Sequence, residues 1–99
     1  MTGTANQIEW AEQIKLRVGT EFDRVAKALE TAAGNQTERN RISTRAVIGI
    51  LEDKRAEVMA KDRAGYFIGE WQELGDQVRR LVTQDPRYQA IKARNTSQI

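Results

Sequence analysis

Three carboxylates with regular spacing are the first candidates for a metal site. Glu70, Glu73 and Asp76 recur every three residues, and carboxylate oxygens are the ligands that hard cations such as Ca²⁺ prefer. On an α-helix a step of three residues is a rotation of about 300°, so each carboxylate lies about 60° further round than the one before it. Because the three side chains would not converge on one ion, we expect a solvated acidic surface here and no metal site.

Other catalytic and cofactor chemistries lack their residues. The chain has no histidine and no cysteine, which removes Ser-His and Cys-His pairs, histidine-metal arrangements, disulfides and iron–sulfur clusters. The seven glycines are scattered singly, and no phosphate-binding or calcium-binding loop is present. We therefore predict that the protein is not an enzyme and uses no cofactor.

Two clusters of arginines give the one indication of a partner class. If the chain runs up, down and up through a bundle, both clusters reach the same end, where they would form a phosphate-binding patch. A solvated bundle end is the competing interpretation, because helix-turn-helix spacing is absent and the net charge of +2 is too small to impose a strong field. The candidate nucleic-acid-binding residues are Arg39, Arg41, Arg45, Arg79, Arg80 and Arg87.

Apolar side chains outside the helical core are the candidates for binding another protein. Tryptophan is enriched at binding hot spots, but Trp10 and Trp71 each lie at the edge of an apolar helix face, so we expect both to pack between helices. A small bundle leaves other apolar residues over. The candidate protein-interaction residues are Leu16, Tyr66 and Ile68.

Apolar residues at helical spacing predict four helices and no strand. The predicted helices cover about residues 6–33, residues 44–61, residues 63–83 and a short segment that starts at Asp85 and Pro86. Gly34 and Asn35 tolerate the left-handed conformation that often ends a helix, and residues 36–42 are the predicted connection. Thr37 or Ser43 would cap the second helix.

The second and third helices are predicted to be separate. Drawn as one rod, their apolar faces lie more than a right angle apart, so we predict an interruption between residues 60 and 66, with Asp62 capping the new helix. Arg55 falls inside the apolar face of the second helix. Because an unpaired buried charge costs about 3 to 5 kcal/mol, we predict an acceptor within hydrogen-bond reach of its guanidinium.

Helices joined by short connections pack antiparallel. We therefore predict an all-α fold, an antiparallel three-helix bundle with a short fourth C-terminal helix, with an assembly of two chains as the alternative. Its 99 residues form one domain, with flexible ends at about residues 1–5 and 95–99. The sequence has no signal-peptide core and no apolar run of membrane-spanning length, so we expect a cytoplasmic protein that binds no membrane.

One resemblance rests on the opening segment, which contains Thr2-Gly3 and the run Gln7-Ile8-Glu9-Trp10-Ala11-Glu12-Gln13-Ile14. It resembles the start of a loose group of bacterial proteins, without an assigned activity, that open with Thr-Gly, a Gln-Ile-x-Trp-Ala-Glu-x-Ile motif and a long helix. The stretch from Asp62 to Ile68 is similar to a later segment of the same group. The resemblance implies a bacterial family and no function.

Two hypotheses of function follow from the residues. The first is a non-enzymatic protein-interaction module (an adaptor, subunit or inhibitor) that binds an unknown protein partner or a second copy of itself. The second is a small accessory nucleic-acid-binding protein that uses the basic bundle end. An exposed apolar patch favours the first, and a contiguous basic patch free of carboxylates favours the second.

Overall fold

A computed structural model describes residues 1–96 of the chain, with side chains described for residues 1–94. No strand forms within this part of the chain, and one isolated bridge pairs Thr2 with Arg63. The predicted all-α class is therefore confirmed over these residues. The five helices that it contains are α1 (Ala5–Gly34), α2 (Glu38–Met59), α3 (Ala64–Glu70), α4 (Leu74–Thr83) and α5 (Pro86–Thr96).

The first two helices form a long antiparallel hairpin. α1 begins after Thr4, whose hydroxyl accepts a hydrogen bond from the backbone N–H of Gln7 (3.2 Å), while the Gln7 side chain accepts from the backbone N–H of Thr4 (3.0 Å). This reciprocal cap satisfies two N–H groups at the start of the helix. α2 begins at Glu38, six residues before the predicted start, because Thr37 caps it by accepting from the N–H of Asn40 (3.4 Å). Most of the predicted connection is thus helical.

The third predicted helix, over about residues 63–83, is two helices in the structure. α3 ends at Glu70, and the backbone leaves the helical conformation at Trp71 (ψ 39°) and Glu73 (ψ 88°). The break lets the chain cross the hairpin: a Cβ added to Gly75, at the start of α4, would lie 3.7 Å from Glu21 of α1. Just after α4, Asp85 pairs with Lys54 of α2 at 3.1 Å.

The core lies between the hairpin and the three shorter helices. Its largest fully buried side chains are Phe22, Phe67, Leu51, Val18 and Val78. Trp71 packs against Phe22, with ring centroids 6.0 Å apart, so the predicted core position of Trp71 is confirmed. Trp10 is 58% exposed, so the prediction that it packs between helices was wrong. It lies about 100° around α1 from the buried Ala11, where no neighbouring helix covers it.

The interruption predicted between residues 60 and 66 is confirmed, because α2 ends at Met59 and α3 begins at Ala64. Asp62, however, does not cap α3, whose N-cap residue is Arg63 and has no side-chain hydrogen bond. The N-terminal segment takes that role. The N–H of Ala64, which has no acceptor within its own helix, donates to the carbonyl of Thr2 (2.9 Å), and the N–H of Thr2 donates to the carbonyl of Asp62 (2.7 Å).

The two ends of the chain were predicted to be flexible over about residues 1–5 and 95–99. At the first end, Thr2 has backbone partners on both sides of α3's start, and the amino group of Met1 lies 3.2 Å from the Asp62 carboxylate. At the second end, α5 extends to Thr96, and residues 97–99 lie outside the described part of the chain.

The last helix begins as predicted. Pro86 is its first residue, and the Asp85 carboxylate caps it by accepting a hydrogen bond from the N–H of Arg87 (2.8 Å). Ile91 is buried against the core. Among the helices of residues 1–96, none is long and apolar enough to cross a membrane.

Candidate interaction surface

One face of the α1–α2 hairpin is left uncovered by the shorter helices. Two shallow depressions lie along it. The one toward the N-terminal end of α1 is lined by Glu12, Leu16, Gly19 and Asp23 with Arg55 and Met59, and also by Met1, Lys15, Thr20, Lys61 and Asp62. The one at the α1–α2 connection is lined by Glu30, Ala33 and Gly34 with Arg41, Arg45 and Ile48. We call this surface, defined by these residues, the open face.

Helical geometry shows that both depressions belong to the same face. At about 100° per residue, Glu12, Asp23 and Glu30 point within about 20° of one another around α1. Glu21, which lies beside the start of α4, points in the opposite direction from Glu30. The shorter helices therefore pack on one side of the hairpin and the open face lies on the other.

The alignment of the two helices across the open face is defined by two contacts. Arg55 of α2 forms an ion pair with Asp23 of α1, and the Met59 side chain lies 3.8 Å from the position of a Cβ on Gly19. Arg55 is partly buried, and its ion pair with Asp23 confirms the prediction that its guanidinium has an acceptor within reach. The antiparallel alignment places Glu30 level with Ile48, one turn from Arg45.

The three predicted protein-interaction residues have different environments. Leu16 is 75% exposed and lines the open face. Tyr66 and Ile68 are half-buried and pack against the core. The Tyr66 ring lies edge-on to Phe67 at 5.1 Å, and the Lys61 ammonium lies 5.4 Å from the Tyr66 ring centroid. The open face thus retains Leu16 alone from that set.

Arg41 closes the end of α1. Its guanidinium donates to the carbonyl of Ala33 (3.0 Å) and to that of Gln36 (3.3 Å), which ties the start of α2 to the end of α1. Neither Gly34 nor Asn35 adopts the left-handed conformation expected there, since the only positive φ within residues 1–96 belongs to Gly3. The sequence placed Arg41 in a phosphate-binding cluster, and the structure gives it a structural role.

The second arginine cluster lies elsewhere on the hairpin. The Arg87 guanidinium pairs with Asp53 (2.6 Å) and with Asp85 (3.0 Å). Asp53 lies twelve positions after Arg41 in α2, about 18 Å along the helix axis. The structure therefore does not place Arg87 beside Arg41, because α4 crosses the hairpin and ends near the middle of α2. The other four predicted nucleic-acid-binding residues are exposed: Arg39, Arg45, Arg79 and Arg80.

Asp85 is a buried carboxylate at the junction of α2, α4 and α5. It is 7% exposed, and Lys54 and Arg87 both pair with it. Hydrogen bonds from the Arg87 side chain and backbone, with a further one from Lys54, hold the pKa of Asp85 well below its usual range against the opposing effect of burial. Since its partners are cations of α2 and α5, the group joins these helices.

Carboxylates do not gather into a metal site. Among the residues that the structure describes, no three acidic side chains are placed to hold one ion. The break between α3 and α4 separates Glu70 from Asp76.

Comparison with known proteins finds no matching family model, no matching curated protein and no matching solved structure.

Proposed function

We propose that this protein is a non-enzymatic protein-interaction module, an adaptor, subunit or inhibitor, that binds its partner through the open face. One observation carries the proposal: Leu16 is 75% exposed and lines a depression together with Met59 and Gly19. A solvated leucine beside a recess is an unused apolar contact. In this proposal α3 and α4 together take the place of the third helix of the predicted antiparallel bundle. α5 is its short fourth helix.

The composition of the depression supports a protein partner. Leu16 and Met59 line it together with charged side chains of both signs. Protein interfaces combine apolar with polar and charged side chains. Methionine is flexible and polarisable, so Met59 can adapt to the shape of an incoming side chain.

The signs of the charges support a protein over a nucleic acid. A polyanion on the open face would meet Glu12, Asp23 and Glu30 as well as the arginines of α2. Nucleic-acid interfaces are strongly positive because their affinity comes from neutralised phosphates. Arg41, one of the six arginines predicted for such a patch, is already bonded to backbone carbonyls.

A matched pair of variants tests the proposal. Leu16 on the open face and Ile42 near the start of α2 are both exposed aliphatic residues, at 75% and 62%. Changing either to aspartate is expected to alter stability by less than about 0.5 kcal/mol, because exposed positions contribute little. Only Leu16→Asp is expected to abolish partner capture from native cells, since it replaces an apolar side chain of the open face with a charge.

The measurement compares capture by the unaltered protein, Leu16→Asp and Ile42→Asp, with nuclease present and at two salt concentrations. If Leu16→Asp loses the partner and Ile42→Asp still captures it, the result supports binding through the open face. Equal capture by all three proteins contradicts it. Capture that nuclease and salt both remove favours the nucleic-acid hypothesis, whose affinity falls steeply with salt.

A further inference from the structure

We propose that the partner of the open face is a second copy of this chain, so that two hairpins pack face to face. The inference rests on the proposed function of that face. Its basis is the separation of charge between the two helices. The acidic side chains that α1 contributes to the depressions are Glu12, Asp23 and Glu30, and the arginines that α2 contributes are Arg41, Arg45 and Arg55.

The basic side chains outside this pattern have positions of their own. The Lys15 ammonium of α1 lies 5.8 Å from the Phe67 ring centroid, and Lys61 lies over Tyr66. Neither lies on α2. Apart from Lys15, the charged residues that α1 contributes to the open face are acidic, and those that α2 contributes are basic. We call these the acidic edge and the basic edge.

A twofold axis along the hairpin makes this face self-complementary. With that axis, α1 of one copy lies opposite α2 of the other, so the acidic edge meets the basic edge on both sides of the axis. A twofold axis across the hairpin would oppose α1 to α1 and repel. Homodimers with closed symmetry use one patch on both subunits, and the open face satisfies this requirement in a single orientation.

The contacts within one copy also leave groups for the other. Glu30 and Arg45 line the same depression, and neither forms an ion pair within residues 1–96. Because the axis preserves height along the hairpin, Glu30 of one copy comes within one turn of Arg45 of the other. By the same alignment, Leu16 of one copy approaches Met59 of the other.

The size of the face sets the expected strength. α2 has 22 residues, so at 1.5 Å per residue and two helices in width the contact covers about 33 Å by 20 Å, roughly 650 Å² per copy. Stable complexes bury about 800 Å² per partner. The dimer is therefore weak, and its charged edges make it sensitive to salt.

A charge exchange tests the proposal. Glu30→Arg makes both facing edges basic, and Arg45→Glu makes both acidic, so each single variant is expected to self-associate at least about tenfold more weakly than the unaltered chain. A chain that carries both changes has exchanged edges and is expected to dimerise again. An equimolar mixture of the two single variants is expected to form a heterodimer for the same reason. Circular dichroism melting verifies that all three variants fold.

Sedimentation velocity from micromolar to millimolar protein, at low and high salt, is the measurement. The proposal predicts a mass that rises with concentration from 11.2 kDa toward twice that value in low salt. Both single variants are expected to lose this rise, and the double variant and the mixture are expected to show it again. An unaltered chain that stays monomeric throughout overturns the second-copy proposal, as does dimerisation that all variants retain. The proposed function fails separately, when Leu16→Asp captures as much partner as Ile42→Asp.

Discussion

At the scale of single residues, Arg41 shows how a side chain can serve the fold in place of a ligand. Its guanidinium bonds the carbonyls of Ala33 and Gln36 at the α1–α2 connection. Hydrogen bonds to charged groups contribute about 1.5–3 kcal/mol each. We predict that Arg41→Ala lowers the free energy of unfolding by about 1–3 kcal/mol in urea titrations.

Arg39 is the matched control for that prediction. It is exposed two residues earlier on the same helix, so Arg39→Ala is expected to change stability by less than about 0.5 kcal/mol. Equal effects of the two substitutions would show that Arg41 acts as a surface charge, and would return it to the nucleic-acid hypothesis.

Asp85 makes the stability depend on acid. Its folded-state pKa is lowered by Arg87 and Lys54, so its stabilising effect is fully present above the ordinary aspartate pKa of about 3.9 and declines as the pH falls below that value. We predict that Asp85→Asn is less stable than the unaltered protein at neutral pH, and that the difference narrows in acid. Urea titrations between neutral pH and pH about 2 measure it.

The control for the acid prediction is Glu52→Gln, since Glu52 is an exposed carboxylate of α2. The free energy of unfolding of Glu52→Gln is expected to differ little from that of the unaltered protein at every pH. A constant difference for Asp85→Asn across the acid range would mean that the negative charge does not carry the effect of Asp85.

At the scale of elements, the N-terminal segment acts as a cap for α3. Gly3 has a φ of 142°, and a Cβ there would lie 3.0 Å from the Cβ of Ala64. Gly3→Ala is therefore strained both in its backbone and in its contact. We predict a loss of about 1–2 kcal/mol, together with faster hydrogen exchange at the N–H of Ala64, which donates to Thr2.

The same substitution elsewhere should have the opposite sign. Gly49 lies within α2, and a Cβ added to it meets nothing within 4 Å. Gly49→Ala is expected to stabilise the protein by about 0.5–1 kcal/mol, because alanine favours the helical backbone. Unchanged exchange at Ala64 in Gly3→Ala would show that the segment does not hold the start of α3.

The elements also show which features could be predicted from the sequence. The start of α5 follows from Asp85 and Pro86, and the end of α2 follows from opposed apolar faces, because both signals are local. The break at Trp71 has no such signal. Phe67, Trp71 and Val78 continue one helical period across it, so nothing in the local pattern ends α3 there.

The candidate site was predictable in part for the same reason. Leu16 points away from the apolar face of α1, so the sequence alone indicates its exposure. The 58% exposure of Trp10 was not predicted, because it depends on which helices pack beside α1 and not on the local pattern. The division of acidic and basic edges between α1 and α2 appears only when the two helices are aligned by the contact of Asp23 with Arg55.

At the scale of the whole molecule, the chain is elongated, 53 Å by 24 Å by 19 Å, and the hairpin supplies most of its length. The three shorter helices form a layer on one side of it. We propose that the protein binds its partner through the other side, the open face.

Site-specific photo-crosslinking in native cells tests this claim most directly. A photoreactive amino acid at position 16, in place of Leu16, samples the open face, and one in place of the exposed Gln84 samples the opposite layer. We predict a discrete protein adduct from position 16, resistant to nuclease, and little or none from position 84. Equal adducts from both positions, or adducts that nuclease removes, would contradict the account.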